Sequence, residues 1–399
     1  MIFTLAVYGQ RALKFDYIPT ENDNTVDNEG GQVVPANLFL NDTQLVVGGI
    51  FSLTNNATGL PFDSGIQRAL AFECAIRDSN AKSGSAYTLF YNIQDDGNSV
   101  PFAVRAAVRL LNEGLFVVIG PSTSDQTVSA ASAYGVQEIP NISPAATSDT
   151  LSDVTRYPSF FRLVPPDSAQ ARAIVSAMVF FNWSLITPIY TNDEYGQSGS
   201  TAISLEANRN RISFTCGRVI RVGEVNGIEN TNNCLSTSDS NVVLLYMPAS
   251  DAANVLAAMY PAATNSRLTF LASDTWANIR DFRLFSRDRF PSSFLEGSLG
   301  FAPDLGDQQP YIDCVRQLTP SSTDIPNFTQ YWELVFRCRL EGDDLPECPE
   351  LIADREFAVI NCRCRGNENL ANIQPDVRLF MFLFNTCRQR LRMCRIRCF

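Results

Sequence analysis

The sequence predicts an α/β protein built from two doubly wound parallel-sheet lobes. Three observations carry this. Short apolar runs alternate with helix-length amphipathic segments from Leu45 to Asn112, the pattern of a mostly parallel sheet with helices on its faces. Several runs, among them Leu115-Phe-Val-Val-Ile-Gly120 and Val242-Val-Leu-Leu-Tyr-Met247, are apolar without a break, as in strands covered on both sides. The alternation halts at Val164-Pro-Pro-Asp167 and then restarts, which implies a second lobe. At 399 residues the chain can bury two sizeable cores.

In chain order, residues 20–43 are rich in Asn, Asp, Glu and Gly, so residues 1–43 read as a flexible N-terminal segment. Lobe one is expected over 44–162. Its strands are Leu45–Leu53, Tyr87–Ile93, Leu115–Gly120 and Ile139–Ser143, and its helices are Ser64–Asp78, Val100–Asn112 and Gln126–Gln137. Ile66, Leu70 and Cys74 share one side of the first helix. Lobe two is expected over 163–296. Helices at Ser168–Phe181, Gly196–Asn208 and Asp251–Tyr260 alternate there with strands at Leu185–Tyr190, Val242–Met247 and Leu268–Ser273. A second break near Gly297-Ser-Leu-Gly-Phe301 sends residues 297–386 back to lobe one, and a cleft between two such lobes is a favoured ligand site. The stretch from Leu115 to Gly199 organises the chain: strand, polar loop, helix, repeated, with N–H groups and hydroxyls at the carboxyl ends of parallel strands.

Composition removes several functions. The chain has no histidine, which excludes Ser-His-Asp, Cys-His and HExxH chemistry. Lys82 follows Ala81, so there is no P-loop, and no GxGxxG is present. A hydrolase using only Asp and Glu stays open. The net charge of −11 disfavours nucleic acid as a partner. Eleven cysteines without a CxxC argue against zinc. Together with five Asn-x-Ser/Thr sequons, at Asn41, Asn56, Asn141, Asn182 and Asn327, they point to an oxidising, secretory compartment. No cofactor is implied. No run reaches the ~18 apolar residues of a membrane helix, and Met1–Gly9 is not a convincing signal peptide.

Leu151-Ser-Asp-Val-Thr-Arg-Tyr-Pro-Ser-Phe-Phe-Arg-Leu-Val-Pro-Pro-Asp167 closely resembles the extracellular Venus-flytrap domain of class C G-protein-coupled receptors, metabotropic glutamate receptors most of all. Gly65–Arg68, Phe181-Asn-Trp183, Glu194–Gly199, Ser273-Asp-Thr-Trp276 and Gly366–Leu370 follow in family order. The resemblance implies a bilobal fold of the type I periplasmic-binding-protein kind and an amino-acid ligand, glutamate first, in the cleft. Carried over residue by residue, Ser124 and the Thr123 N–H meet the α-carboxylate, Thr147 meets both α-groups, Tyr195 covers the ligand and Asp274 pairs with the ammonium. Arg68 and Arg378 hold a distal carboxylate. Such a ligand needs an anion beside a donor cluster, and a helix N-terminus with hydroxyls supplies the donors. Taken singly, Ser124 or Asp274 could equally cap a helix, and Arg68 could lie on a solvated face.

The resemblance further implies bridges Cys338–Cys364, Cys348–Cys362 and Cys216–Cys234, a homodimer through lobe one, an extracellular or cell-surface location, and a G protein as partner in a full-length form. A free extracellular binding protein or decoy is the alternative. The sequence departs from the family in its basic, Cys-rich tail, 387–399, where five arginines and three cysteines replace the expected return to lobe two.

Overall fold

A computed structural model describes residues 39–41, 44–82, 88–263, 268–277, 289–303, 309–341, 345–346, 348, 362–368, 370 and 396–398. The first sheet contains β1 (Phe39–Asn41), β2 (Gln44–Phe51), β3 (Thr88–Asp95), β4 (Val117–Ile119), β5 (Asn141–Ser143) and β6 (Phe160–Arg162). Its order is β1-β2-β4-β5-β6, with β3 also on β2. Every pairing is parallel except the short β1–β2 ladder. The crossovers are α1 (Asp63–Ala81), α2 (Val100–Leu111) and α3 (Ser124–Val136). Side chains alternate across β2: Val47 and Phe51 pack with Ile66 and Leu70 of α1, while Ile50 packs with Leu110 of α2 and Tyr134 of α3. Period-two alternation with helices on both faces makes the strand apolar throughout.

The second sheet repeats this plan. Its elements are α4 (Asp167–Phe180), β7 (Leu185–Thr191), α5 (Glu194–Arg209), β8 (Ser213–Phe214), β9 (Arg218–Ile220), α6 (Ile228–Leu235), β10 (Val242–Tyr246), α7 (Ala249–Ala263), β11 (Thr269–Ala272) and β12 (Leu299–Phe301). Every residue of β10 is buried. Val243 and Leu245 face α7, whereas Val242, Leu244 and Tyr246 face α4 and α5. Tyr246 is thereby delivered to the α5 side of the sheet.

After β12 the chain forms α8 (Gln309–Val315) and α9 (Phe328–Phe336). Val315, Phe328, Tyr331 and Trp332 share the core of Ile66 and Leu70, and the Tyr331 hydroxyl donates to Asp63 Oδ1 at 2.6 Å. A disulfide joins Cys74 of α1 to Cys314 of α8. Cys216–Cys234, Cys338–Cys364 and Cys348–Cys362 are also bonded.

Three features differ from the expectations. Phe39–Asn41, inside the expected flexible segment, is a strand. Leu299–Phe301 pairs in parallel with β11, so the second sheet extends past residue 296. Within the expected atypical tail, β13 (Ile396–Cys398) runs antiparallel along β12. The backbone of a basic, Cys-rich segment can still supply the ladder hydrogen bonds an edge strand needs.

Candidate functional site

The two sheets approach each other where their helices begin. Gly120 has φ +97°, a conformation that L side chains rarely adopt, and a Cβ there would lie 2.0 Å from the Ile50 carbonyl. The chain thus turns sharply off β4 into Pro121–Thr123 and starts α3 at Ser124, two residues earlier than the sequence pattern suggests. Ser124 is buried and its Oγ accepts the Ser148 N–H at 3.2 Å, so its own proton remains to be donated. Thr123 occupies the N-cap without a side-chain capping bond; its hydroxyl donates to Asp125 at 2.7 Å. Ser122 and Thr147 each bury a hydroxyl oxygen with no hydrogen-bond partner. The Thr147 carbonyl accepts from the Asp167 N–H at 2.8 Å and from Arg162 at 3.1 Å.

From the second sheet, Asp193 caps α5 by accepting the Gly196 N–H at 2.9 Å, which sets Tyr195 in the first turn. Tyr195 donates to Asp274 Oδ1 at 2.5 Å. Its ring stacks on Tyr246, centroids 4.6 Å apart and planes 27° apart. Tyr246 in turn donates to Asp167 Oδ1 at 2.6 Å. Gln170 of α4 adds a donor to Asp274 at 3.0 Å. Two stacked tyrosines therefore hold two carboxylates, Asp167 at the start of α4 and Asp274 in the turn after β11.

Burial shapes the charges. Desolvation raises Asp274 above the usual carboxylate range, opposed by the Tyr195 and Gln170 hydrogen bonds. Desolvation lifts Asp167 to about 6, opposed by the neighbouring Ser198, Tyr246 and Thr147 hydroxyls. Desolvation drives both tyrosines well above 10, so they stay neutral donors. One oxygen of Asp167 is buried without a hydrogen-bond partner. The start of α3 thus carries buried hydroxyls, and the second lobe carries Asp167 and Asp274 on its paired tyrosines.

Of the expected site residues, Tyr195 and Asp274 are in direct contact, and Ser124, next to Thr123, meets the segment of Thr147 through the Ser148 N–H. Arg68 is half-buried on α1 and acts electrostatically on Asp96. Arg378 lies outside the described residues. Sequence reasoning missed Asp167, which read as the end of a crossing, and Tyr246, which read as core within an apolar strand. Among the sequons, Asn56, Asn182 and Asn327 are exposed. Asn141 is a correction: it is fully buried in β5 and donates to the Gly120 carbonyl at 2.5 Å, so in this fold it cannot carry a glycan. The burial of Asn41 lies outside what is described.

Cys338, Cys364 and Glu368 cluster at metal-ligand distances, but both cysteines are oxidised in one bridge and have no thiolate to offer. A separate hollow of about 490 Å³ lies between α1 and β3, lined by Ile76, Arg77, Tyr91 and Asp324.

Residues 67–344 match the model of the receptor family ligand binding region. The chain belongs to this family. Its fold is accordingly of the type I periplasmic-binding-protein kind, and the family is one of receptor ligand-binding regions, not of enzymes. The chain is 25% identical over 335 residues to a metabotropic glutamate receptor of Drosophila melanogaster, covering 74% of this chain and 34% of that protein. It is 22% identical to the human extracellular calcium-sensing receptor over 72% of this chain and 29% of the relative, and 24% identical to the receptor of that name in Sus scrofa over the same shares. The chain thus spans about a third of the length of these class C receptors. Among the described residues no helix is long and apolar enough to cross a membrane.

Proposed function

We propose that this receptor ligand-binding region captures a free L-α-amino acid between its lobes, glutamate being the ligand that Arg68 favours. One observation supports the reading: the Tyr195–Asp274 hydrogen bond, in a chain whose α3 begins with the buried Ser124. The ammonium would sit against Asp274 and Asp167 under the Tyr195 ring, where cation–π attraction adds to the charge pairing. The α-carboxylate would accept from Ser124, Thr147 and the Thr123 N–H at the helix amino end. Arg68, and Arg378 with it, would then meet a distal carboxylate. The relatives' names divide between glutamate and calcium at near-equal identity, so the acidic side chain rests on Arg68.

The ligand would dock on lobe one and draw lobe two over it, a population shift between open and closed states. In an extracellular, cell-surface receptor carrying membrane helices, that closure would rearrange a homodimer held through lobe one and so reach a G protein. Calorimetry of the secreted chain against the twenty amino acids and Ca²⁺ tests the reading. Glutamate should bind, and Asp274→Ala should weaken it at least about 30-fold, the cost of removing a partner from a desolvated charge pair. Arg68→Ala should weaken glutamate while sparing glycine and alanine. Absence of binding to every amino acid would overturn the proposal, and an unchanged glutamate affinity in Arg68→Ala would overturn the choice of glutamate alone.

A further inference from the structure

At the far end of α4 an aromatic patch faces solvent. Val179 is 48% exposed, Phe180 51% and Phe181 42%. Phe180 and Phe181 meet edge-to-face at 5.0 Å, and Phe181 stacks on Trp183 at 4.7 Å. An apolar cluster of this kind is costly to leave in water and marks a covered surface. A sequon lies in its midst. Asn182 stands between Phe181 and Trp183 and opens the sequon Asn182-Trp-Ser184. It is exposed and left-handed, φ 57°, where the helix ends with the Trp183 N–H on the Met178 carbonyl at 2.8 Å. The other described sequons differ: Asn141 is buried, Asn56 lies among exposed polar and small residues, and the aromatic beside Asn327, Phe328, is buried.

We propose that Asn182 carries an N-linked glycan whose first sugar lies over Phe180 and Phe181 and stabilises lobe two by covering them. The setting is an oxidising secretory compartment, consistent with four disulfides. In the attachment step, Asn182 Nδ2 forms a bond to the anomeric carbon of a lipid-linked oligosaccharide diphosphate. The bond from that carbon to the diphosphate oxygen breaks, the lipid diphosphate leaves, and the amide nitrogen gives up one proton. The apolar face of a pyranose ring then packs on the electron-rich aromatic faces, as other positively polarised groups do.

The test uses the full chain secreted from eukaryotic cells that make only high-mannose glycans. Peptide mass spectrometry reads occupancy at Asn182, and thermal unfolding with a hydrophobic-dye assay reads coverage. Occupancy should be high. Enzymatic trimming of the folded protein to one N-acetylglucosamine should leave the melting temperature unchanged. Ser184→Ala should lower it by roughly 2–4 °C and raise dye binding. In a Phe180→Ser background the same Ser184→Ala change should have no effect. An unmodified Asn182, an unchanged melting temperature in Ser184→Ala, or an equal loss in the Phe180→Ser background would each overturn the proposal. Should Ser184→Ala fail to be secreted, complete glycosidase removal from the folded wild type, compared with the trimmed form, gives the same reading.

Discussion

Asp96 shows how a single buried carboxylate trades stability for position. It is fully buried at the end of β3, its Oδ1 accepts the Asn98 N–H at 2.9 Å, and Oδ2 has no hydrogen-bond partner. Desolvation raises it from 3.8 to about 6, opposed by Ser52, Asn98 and Arg68. Because the folded value lies above the unfolded one, the folded state binds the proton more tightly. The penalty is absent below the unfolded value and complete above about 6, so this group makes the fold more stable as pH falls from 7 towards 4. Asp96→Asn should therefore stabilise the chain at pH 8 by up to about 3 kcal/mol, and the gain should vanish near pH 4. Denaturant unfolding at the two pH values checks this; a gain independent of pH would mean that the charge is not its source. Side chains of this kind were hard to read in the sequence. Tyr195 and Asp274 stood in recognisable runs, while Asp167 and Tyr246 come together only because Tyr246 alternates onto the α5 face. Asn141 erred the other way, since a sequon pattern does not register burial.

Elements were more legible than their ends, because apolar periodicity marks the middle of a helix or strand and capping decides its limits. Asp193 starts α5 two residues before the apolar pattern does, and Leu299–Phe301 is too short to announce itself as a strand. The Cys74–Cys314 bridge, 240 residues apart in sequence, left no spacing signal at all. Replacing both cysteines by serine should cost 2–5 kcal/mol, the range for a native bridge, as a lower unfolding midpoint; no change would mean that the shared core of α1, α8 and α9 suffices. Gly199 of α5 matters for a different reason. A Cβ there would lie 2.1 Å from the Tyr246 ring, so Gly199→Ala must push that ring off Tyr195 and loosen its bond to Asp167. Overpacking of this sort costs about 1–3 kcal/mol. The expected result is a modest fall in melting temperature with at least a tenfold loss of amino-acid affinity; a loss of stability without a loss of affinity would detach the tyrosine stack from binding.

At the scale of the whole molecule, the question is what couples the lobes. Besides the chain crossing near Leu163, direct bonds join them beside the cleft. Ser148 donates to Glu194 Oε1 at 2.6 Å, and the Asp149 N–H donates to Ser198 Oγ at 2.9 Å. Both partners on lobe two belong to α5, the helix that carries Tyr195. Any motion that opens the cleft by moving α5 must therefore break these bonds and withdraw Tyr195 together. A bond to a charged acceptor contributes about 1.5–3 kcal/mol, and an interaction made only in the closed state lowers apparent affinity by that amount when removed. Glu194→Ala should weaken amino-acid binding by about 10- to 100-fold, although Glu194 need not touch the ligand. Its ligand-free melting temperature should change little, since neither lobe's core includes this bond. Small-angle scattering should then show the variant more expanded than the wild type at sub-saturating ligand and equally compact at saturation. If affinity and compaction both match the wild type, the contact is only a neighbour of the cleft, and closure must be held by the ligand itself.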